Sequence, residues 1–159
     1  MSDETPESNI SGAIYGTILS MAVISTASKD PDIGPIAIAG WAVATAMVFW
    51  LAHAYSHIVA DGIARPKHAG GLIRLELRRE WPLVQGAMLP AAAMLLAPLG
   101  IVSEITASYV AVGAGLVVLF AAGVLMGARQ DLSTRKRLTI GGINALIGST
   151  IVILKIFVH

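Results

Sequence analysis

Five long stretches of this 159-residue chain contain no Asp, Glu, Lys or Arg, and they constrain its fold more than any other feature. These stretches are residues 8–28, 33–60, 81–103, 105–128 and 138–154. A bilayer-spanning helix needs about 20 mainly apolar residues, so each stretch is long enough for one crossing and too short for two. Transmembrane β-strands would instead give alternating segments of about 10 residues. The pattern predicts an all-α fold, a polytopic transmembrane helical bundle with five transmembrane helices.

The predicted helices cover about 10–28, 35–60, 80–103, 107–128 and 138–158. Residues 1–9 are predicted to be a polar N-terminal tail, and residues 10–159 a single transmembrane domain embedded in a lipid bilayer. Only 13% of the residues are charged, about half the fraction that is usual in soluble domains, which argues against a water-soluble globule. The net charge of +1 gives no reason to expect nucleic acid as a partner. The absence of cysteine excludes disulfides and cysteine-ligated metals.

Lysine and arginine concentrate in two of the four connections between the predicted helices. The basic residues of these two connections are Arg65, Lys67, Arg74, Arg78 and Arg79, then Arg129, Arg135, Lys136 and Arg137. The positive-inside rule places both connections in the cytoplasm, which makes the N-terminus cytoplasmic as well. Within the first connection, residues 69–80 are basic and amphipathic. They predict either a separate interfacial helix or an extension of the third helix into water.

Small residues recur at four-residue spacing in the first predicted helix, at Gly12, Gly16 and Ser20. Such a stripe lets a neighbouring backbone approach closely. The fourth and fifth predicted helices are also rich in glycine. Because five helices are few for enclosing an aqueous path, we expect a homo-oligomer or a larger membrane complex.

The sharpest polar feature is in the second predicted helix, where His53, His57 and Asp61 follow one another at four-residue spacing, with Tyr55 between them. Each step of four turns the helix by 40°, so the three side chains form one slowly drifting stripe. Ionisable residues at membrane depth usually face a protein interior or a water-filled cavity. Three interpretations follow: a proton or cation path, a metal site, or neutral histidines that only bond neighbouring helices.

In the metal interpretation the ligands are His53, His57 and Asp61, with Glu76 or Glu80 as alternative carboxylates. In the proton interpretation the histidines exchange protons near neutral pH and a carboxylate at the mouth delivers or collects them.

Two further groups of polar residues are predicted. His57, Gln85 and Asn144 fall in the same half of the membrane under this topology, where they either form a polar cluster or bond helices together. Glu104, Lys155 and His159 fall at the outer face. Lys155 is expected to be an interfacial anchor.

These residues favour an oligomeric channel or transporter-like protein for protons or small cations. The alternatives are a non-conducting accessory or scaffold subunit and a metal- or haem-binding membrane protein. We do not predict an enzyme, because no set of nucleophile, base and oxyanion donor can be assembled. The cofactor is unknown, and the sequence requires none.

Several segments resemble a family of small multi-pass membrane proteins common in actinobacteria. They are Phe49–Tyr55, Arg79–Leu83, Asn144–Gly148 and Leu154–His159. The resemblance covers most of the chain after residue 10 and implies a bacterial plasma (inner) membrane. The family has no assigned activity, so it implies no mechanism and no catalytic residues.

Overall fold

The structure is a computed structural model that describes residues 6–64 and 69–158, and the described residues form helices joined by turns, with no strand. The helices are α1 (Pro6–Ala27), α2 (Pro35–Ala64), α3 (Ala69–Arg79), α4 (Trp81–Met94), α5 (Glu104–Arg129) and α6 (Thr134–Val158). The all-α prediction is confirmed. α1 begins at Pro6, four residues before the predicted start of the first helix, and residues 1–5 of the predicted tail lie outside the described part.

Three helices are long and apolar enough to cross a membrane, rather than the five that were predicted. They contain the apolar windows Ile10–Ala27, Pro35–Ala60 and Glu104–Arg129 among the residues described. The largest difference concerns the predicted helix 80–103, which α4 covers for only 14 residues. At 1.5 Å per residue α4 is about 21 Å long, less than the bilayer core of about 30 Å.

The helix ends early because the backbone tightens before a proline. Leu95, Leu96 and Ala97 each donate a backbone hydrogen bond to a carbonyl three residues earlier, the pattern of a closing last turn. Pro98 has no N–H to continue the helix. Gly100 then takes a left-handed conformation with φ of 73°, which suits a residue without Cβ.

α1 lies at the centre of the bundle and runs parallel to α4. The hydroxyl of Thr17 donates a hydrogen bond of 2.9 Å to the carbonyl oxygen of Gly86, and Ser20 donates one of 3.3 Å to that of Ala87. The backbones are close because Gly16 lies against Leu83, so that a Cβ at Gly16 would meet the Leu83 carbonyl oxygen. The small-residue stripe of α1 thus packs within one chain.

α5 and α6 form an antiparallel pair along a second stripe of small residues. The buried positions of α5 repeat every four residues: Ala107, Ala111, Gly115, Leu119, Gly123 and Gly127. Gly123 faces Gly141 of α6, and Gly127 faces Arg137. The same stripe also packs against α1: a Cβ at Gly115 would meet Met21, and Met21 and Leu119 are both fully buried in one apolar cluster.

The end of α2, the start of α4 and the end of α5 lie at the same end of the bundle, which we call the basic end. α3 lies there as well, packed mainly against α2. The chain bends at Glu80 between α3 and α4, so residues 69–79 form a separate helix rather than an extension of the next one.

Candidate functional site

His53 and His57 both face the carboxylate of Glu80 at the basic end. His53 Nδ1 lies 3.7 Å from Glu80 Oε2, and His57 Nε2 lies 3.5 Å from Glu80 Oε1. The four-residue spacing in α2 brings the imidazoles to one side of the helix, as the sequence predicts. The Glu80 side chain is only 14% exposed, whereas the histidines are 44% and 46% exposed. One shielded carboxylate is therefore shared by two imidazoles.

The bend between α3 and α4 directs Glu80 toward α2. The Glu80 N–H donates to the carbonyl oxygen of Glu76, so α3 is completed up to the bend. Glu80 occupies the N-cap of α4, but its side chain makes no capping hydrogen bond there. A proline is tolerated at position 82, in the first turn of α4, because the first N–H groups of a helix lack partners within the helix. The carboxylate is left to face the histidines.

Three aromatic contacts hold the elements around Glu80. The Trp50 indole of α2 packs edge-on against Trp81, with ring centroids 5.3 Å apart, a geometry that aromatic rings prefer. Tyr15 of α1 lies against His53, with centroids 5.5 Å apart, and contacts Phe49 at 5.9 Å. α1, α2 and the α3–α4 bend thus form three walls of one site.

These walls enclose a cleft of about 450 Å³ that is open on one side. Its lining residues are Ser11, Gly12, Tyr15, His53, His57, Arg79, Glu80 and Leu83. Arg79 brings a positive charge, and its Nη1 lies 3.8 Å from Oε1 of the buried Glu76. We call this site the histidine cleft.

Toward the centre of the bundle the histidine cleft ends at an apolar layer. Ala46, Leu83 and Ala87 are fully buried in one cluster, with Phe49 and Trp50 packed against it. The polar groups are therefore confined to the basic end and to the open side.

The histidine cleft brings together side chains of types that can exchange protons. An imidazole changes charge between pH 5 and 8, and it donates or accepts at either ring nitrogen. The separations of 3.5 and 3.7 Å exceed a direct N–H···O bond, which suits an electrostatic contact or one bridging water. Glu80 thus offers one oxygen to each imidazole, and a ring nitrogen that carries a hydrogen can donate toward it.

The other predicted site residues lie elsewhere. Tyr55 is 69% exposed and does not line the histidine cleft. Gln85 lines a separate groove between α1, α4 and α5. Asn144 lies beside Gly123, with its Nδ2 atom buried and without a hydrogen-bond partner. The structure therefore does not bring His57, Gln85 and Asn144 together, because their helices present them to three different surroundings.

At the opposite end, Glu104 is exposed and lines a cleft of about 300 Å³ with Ser28 and Asp30. The side chains of Asp61 and Lys155, and the whole of His159, lie outside the described part of the structure. Among the side chains that it describes, no group of three or more His, Cys, Asp or Glu is arranged to hold a metal ion.

The sequence suggests Glu80 only as an alternative metal ligand, and it does not predict that Ser11, Tyr15 or Arg79 lines the same site. The available signal was the Trp81–Pro82 pair, which ends one helix and starts the next directly after Glu80. Comparisons of the chain with protein-family models, curated proteins and solved structures find no match.

Proposed function

We propose that this chain is a polytopic protein of a bacterial plasma membrane that moves protons or small cations, with His53, His57 and Glu80 exchanging the proton at the cytoplasmic side. The observation that carries the proposal is the convergence of both imidazoles on one shielded carboxylate. Ionisable side chains at membrane depth are costly, and they commonly mark ion or proton pathways.

The proposal includes five membrane crossings with a cytoplasmic N-terminus. The three long apolar helices supply three crossings, and we assign the others to α4 with the turns after it and to α6. The basic segments support this orientation. Trp81 of α4 and Leu125 of α5 line one groove, so the arginines that precede α4 and follow α5 lie at one end of the bundle, an arrangement that fits the positive-inside rule.

We assign the route of the proton or cation beyond the histidine cleft to an interface between two copies of the chain. The apolar layer of Ala46, Leu83 and Ala87 blocks an obvious route through one copy. His53 and His57 are instead about half exposed on the open side of the cleft, where a second copy would complete a path. The functional unit in this proposal is a homo-oligomer.

Flux into proteoliposomes that contain a pH-sensitive dye tests the proposal between pH 5 and 8, with several cations present. We expect wild-type flux above that of empty liposomes. Glu80→Gln keeps the shape but removes the charge, and it should lower the flux at least tenfold. Ser56→Ala, on the exposed side of the same helix, should leave it unchanged. Wild-type flux equal to that of empty liposomes would contradict the proposal.

A non-conducting accessory subunit is the second candidate, and the apolar layer that closes the histidine cleft favours it. Purification in mild detergent distinguishes the two functions. The accessory function predicts a stoichiometric complex with another membrane protein. A stable homo-oligomer without such a protein would count against it.

Metal or haem binding stays a separate prediction. Elemental analysis and a visible absorption spectrum of the purified protein test it directly. A colourless preparation that binds neither zinc nor haem on addition would remove this alternative.

A further inference from the structure

We propose that the groove between α1, α4 and α5 at the basic end binds one anionic phospholipid of the cytoplasmic leaflet. The groove has a volume of about 460 Å³ and is walled mainly by apolar side chains, among them Ile10, Val118 and Leu125. It lies on the outside of the bundle, apart from the histidine cleft. The inference rests on the membrane location of the chain but not on its proton chemistry.

One wall of this lipid groove carries a side-chain amide near the basic end, at the depth where a phospholipid has its ester and phosphate oxygens. Gln85 lies one turn into α4 and is exposed on the groove. An amide facing pure hydrocarbon would have no hydrogen-bond partner there, which is unfavourable. Near the leaflet surface it can donate to the ester or phosphate oxygens of a phospholipid. Trp81, one turn nearer the basic end, also lines the groove and is suited to the headgroup level.

A positive charge follows on the same face of α5. Val118, Leu125 and Arg129 are spaced by seven and four residues, which keeps them within about 40° of one another at 100° per residue. Arg129 lies about 6 Å beyond Leu125 along the helix and is exposed. It interacts with other groups of the chain, and its five N–H donors can also serve a phosphate.

Charge selects an anionic lipid over a second copy of the chain as the occupant. In one membrane both copies have the same orientation, so a second copy seated in this groove would bring its own basic-end arginines beside Arg129. An anionic headgroup at that level instead neutralises the charge. A lipid with a zwitterionic headgroup fills the apolar groove equally well but lacks the net attraction.

The experiment uses detergent-purified, delipidated full chain mixed with dioleoyl phosphatidylglycerol and dioleoyl phosphatidylcholine in equal amounts, and native mass spectrometry counts the retained lipid. We expect at least a fivefold preference for phosphatidylglycerol. Arg129→Gln should reduce this preference about fivefold, the effect of one basic residue at a membrane surface. Arg135→Gln makes the same charge change on the exposed start of α6 and should leave the preference unchanged.

Gln85→Leu should lower retention of both lipids, since both carry ester and phosphate oxygens. Ala122→Trp, which fills the groove, should do the same. Inorganic phosphate at the same concentration should not displace the lipid, because it lacks an acyl chain. No lipid preference in the wild type would overturn the proposal. An equal loss of the preference in the Arg129→Gln and Arg135→Gln variants would also overturn it. So would an Ala122→Trp variant that changes dimer formation without changing lipid retention. The two proposals are tested separately. An absence of proton flux would not change the lipid preference expected here, and an absence of lipid preference would not change the expected flux.

Discussion

The indole Nε1 of Trp50 donates a hydrogen bond of 2.9 Å to the carbonyl oxygen of Leu77. Leu77 lies in the last turn of α3, where backbone carbonyls lack partners within their own helix. The bend at Glu80 leaves this carbonyl available, and a side chain of α2 uses it. The bond therefore joins α2, which carries both histidines, to the helix that leads directly into their shared carboxylate, Glu80.

Replacement of Trp50 by phenylalanine should loosen α3 from α2. Trp50→Phe keeps an aromatic ring but removes the donor, at a cost of about 1 kcal/mol. We expect faster amide hydrogen exchange over Ile73–Arg79 in the variant. Trp41→Phe is the matched control, because Trp41 is half exposed near the opposite end of α2. Equal exchange in wild type and Trp50→Phe would show that the bond does not hold α3.

A methyl group at Gly16 should separate α1 from α4. The Cβ of Gly16→Ala would meet the carbonyl oxygen of Leu83, and forcing extra volume into a packed contact costs about 1–3 kcal/mol. Gly40→Ala in α2 meets nothing within 4 Å and should be neutral or slightly stabilising, since alanine favours a helix. Thermal unfolding in detergent measures both. Equal midpoints would contradict the close packing of these backbones.

Arg79 should stabilise the chain mainly by compensating Glu76. The Glu76 side chain is 2% exposed, and its Oε2 has no hydrogen-bond partner. Removing the charge of Arg79 leaves a buried carboxylate uncompensated, which is destabilising. We expect Arg79→Gln to cost about 1–2 kcal/mol, reduced from a fully buried pair because Arg79 is partly exposed.

A double-mutant cycle isolates this interaction. In the Glu76→Gln background the cost of Arg79→Gln should largely disappear, whereas the cost of Arg78→Gln should be the same in both backgrounds. Additive effects of the Glu76 and Arg79 changes would contradict the pairing.

The orientation can be tested with single cysteines, because the chain contains none. Ser133→Cys lies in the exposed turn between α5 and α6, and Asp32→Cys in the one between α1 and α2. A membrane-impermeant maleimide should label Ser133→Cys only in inside-out vesicles and Asp32→Cys only in right-side-out vesicles. The reverse pattern would place the histidine cleft on the outer side.

The sequence is informative where one physical effect dominates. The charge-free stretches predict α1, α2 and α5 to within a few residues, since only long apolar helices suit a bilayer. They do not reveal that α4 ends at Met94, because a proline such as Pro98 permits either a kink or a stop, and packing decides between them. The i, i+4 rule places His53 and His57 together but does not reveal Glu80, which reaches them through a bend between two helices.

The pairing of α1 with α4 also has a consequence for how the chain is made. The bond from Ser20 joins residues 67 positions apart, which a ribosome adding 5–20 residues per second covers in about 3–13 s. During that interval Thr17 can use the carbonyl oxygen of Ala13 in its own turn. Until residues 83–87 are made, the face of α1 that carries Gly12 and Gly16 has no α4 to pack against. Packing of α1 against α4 is thus separated in time from the synthesis of α1, and the yield of folded protein depends on what covers that face in the interval.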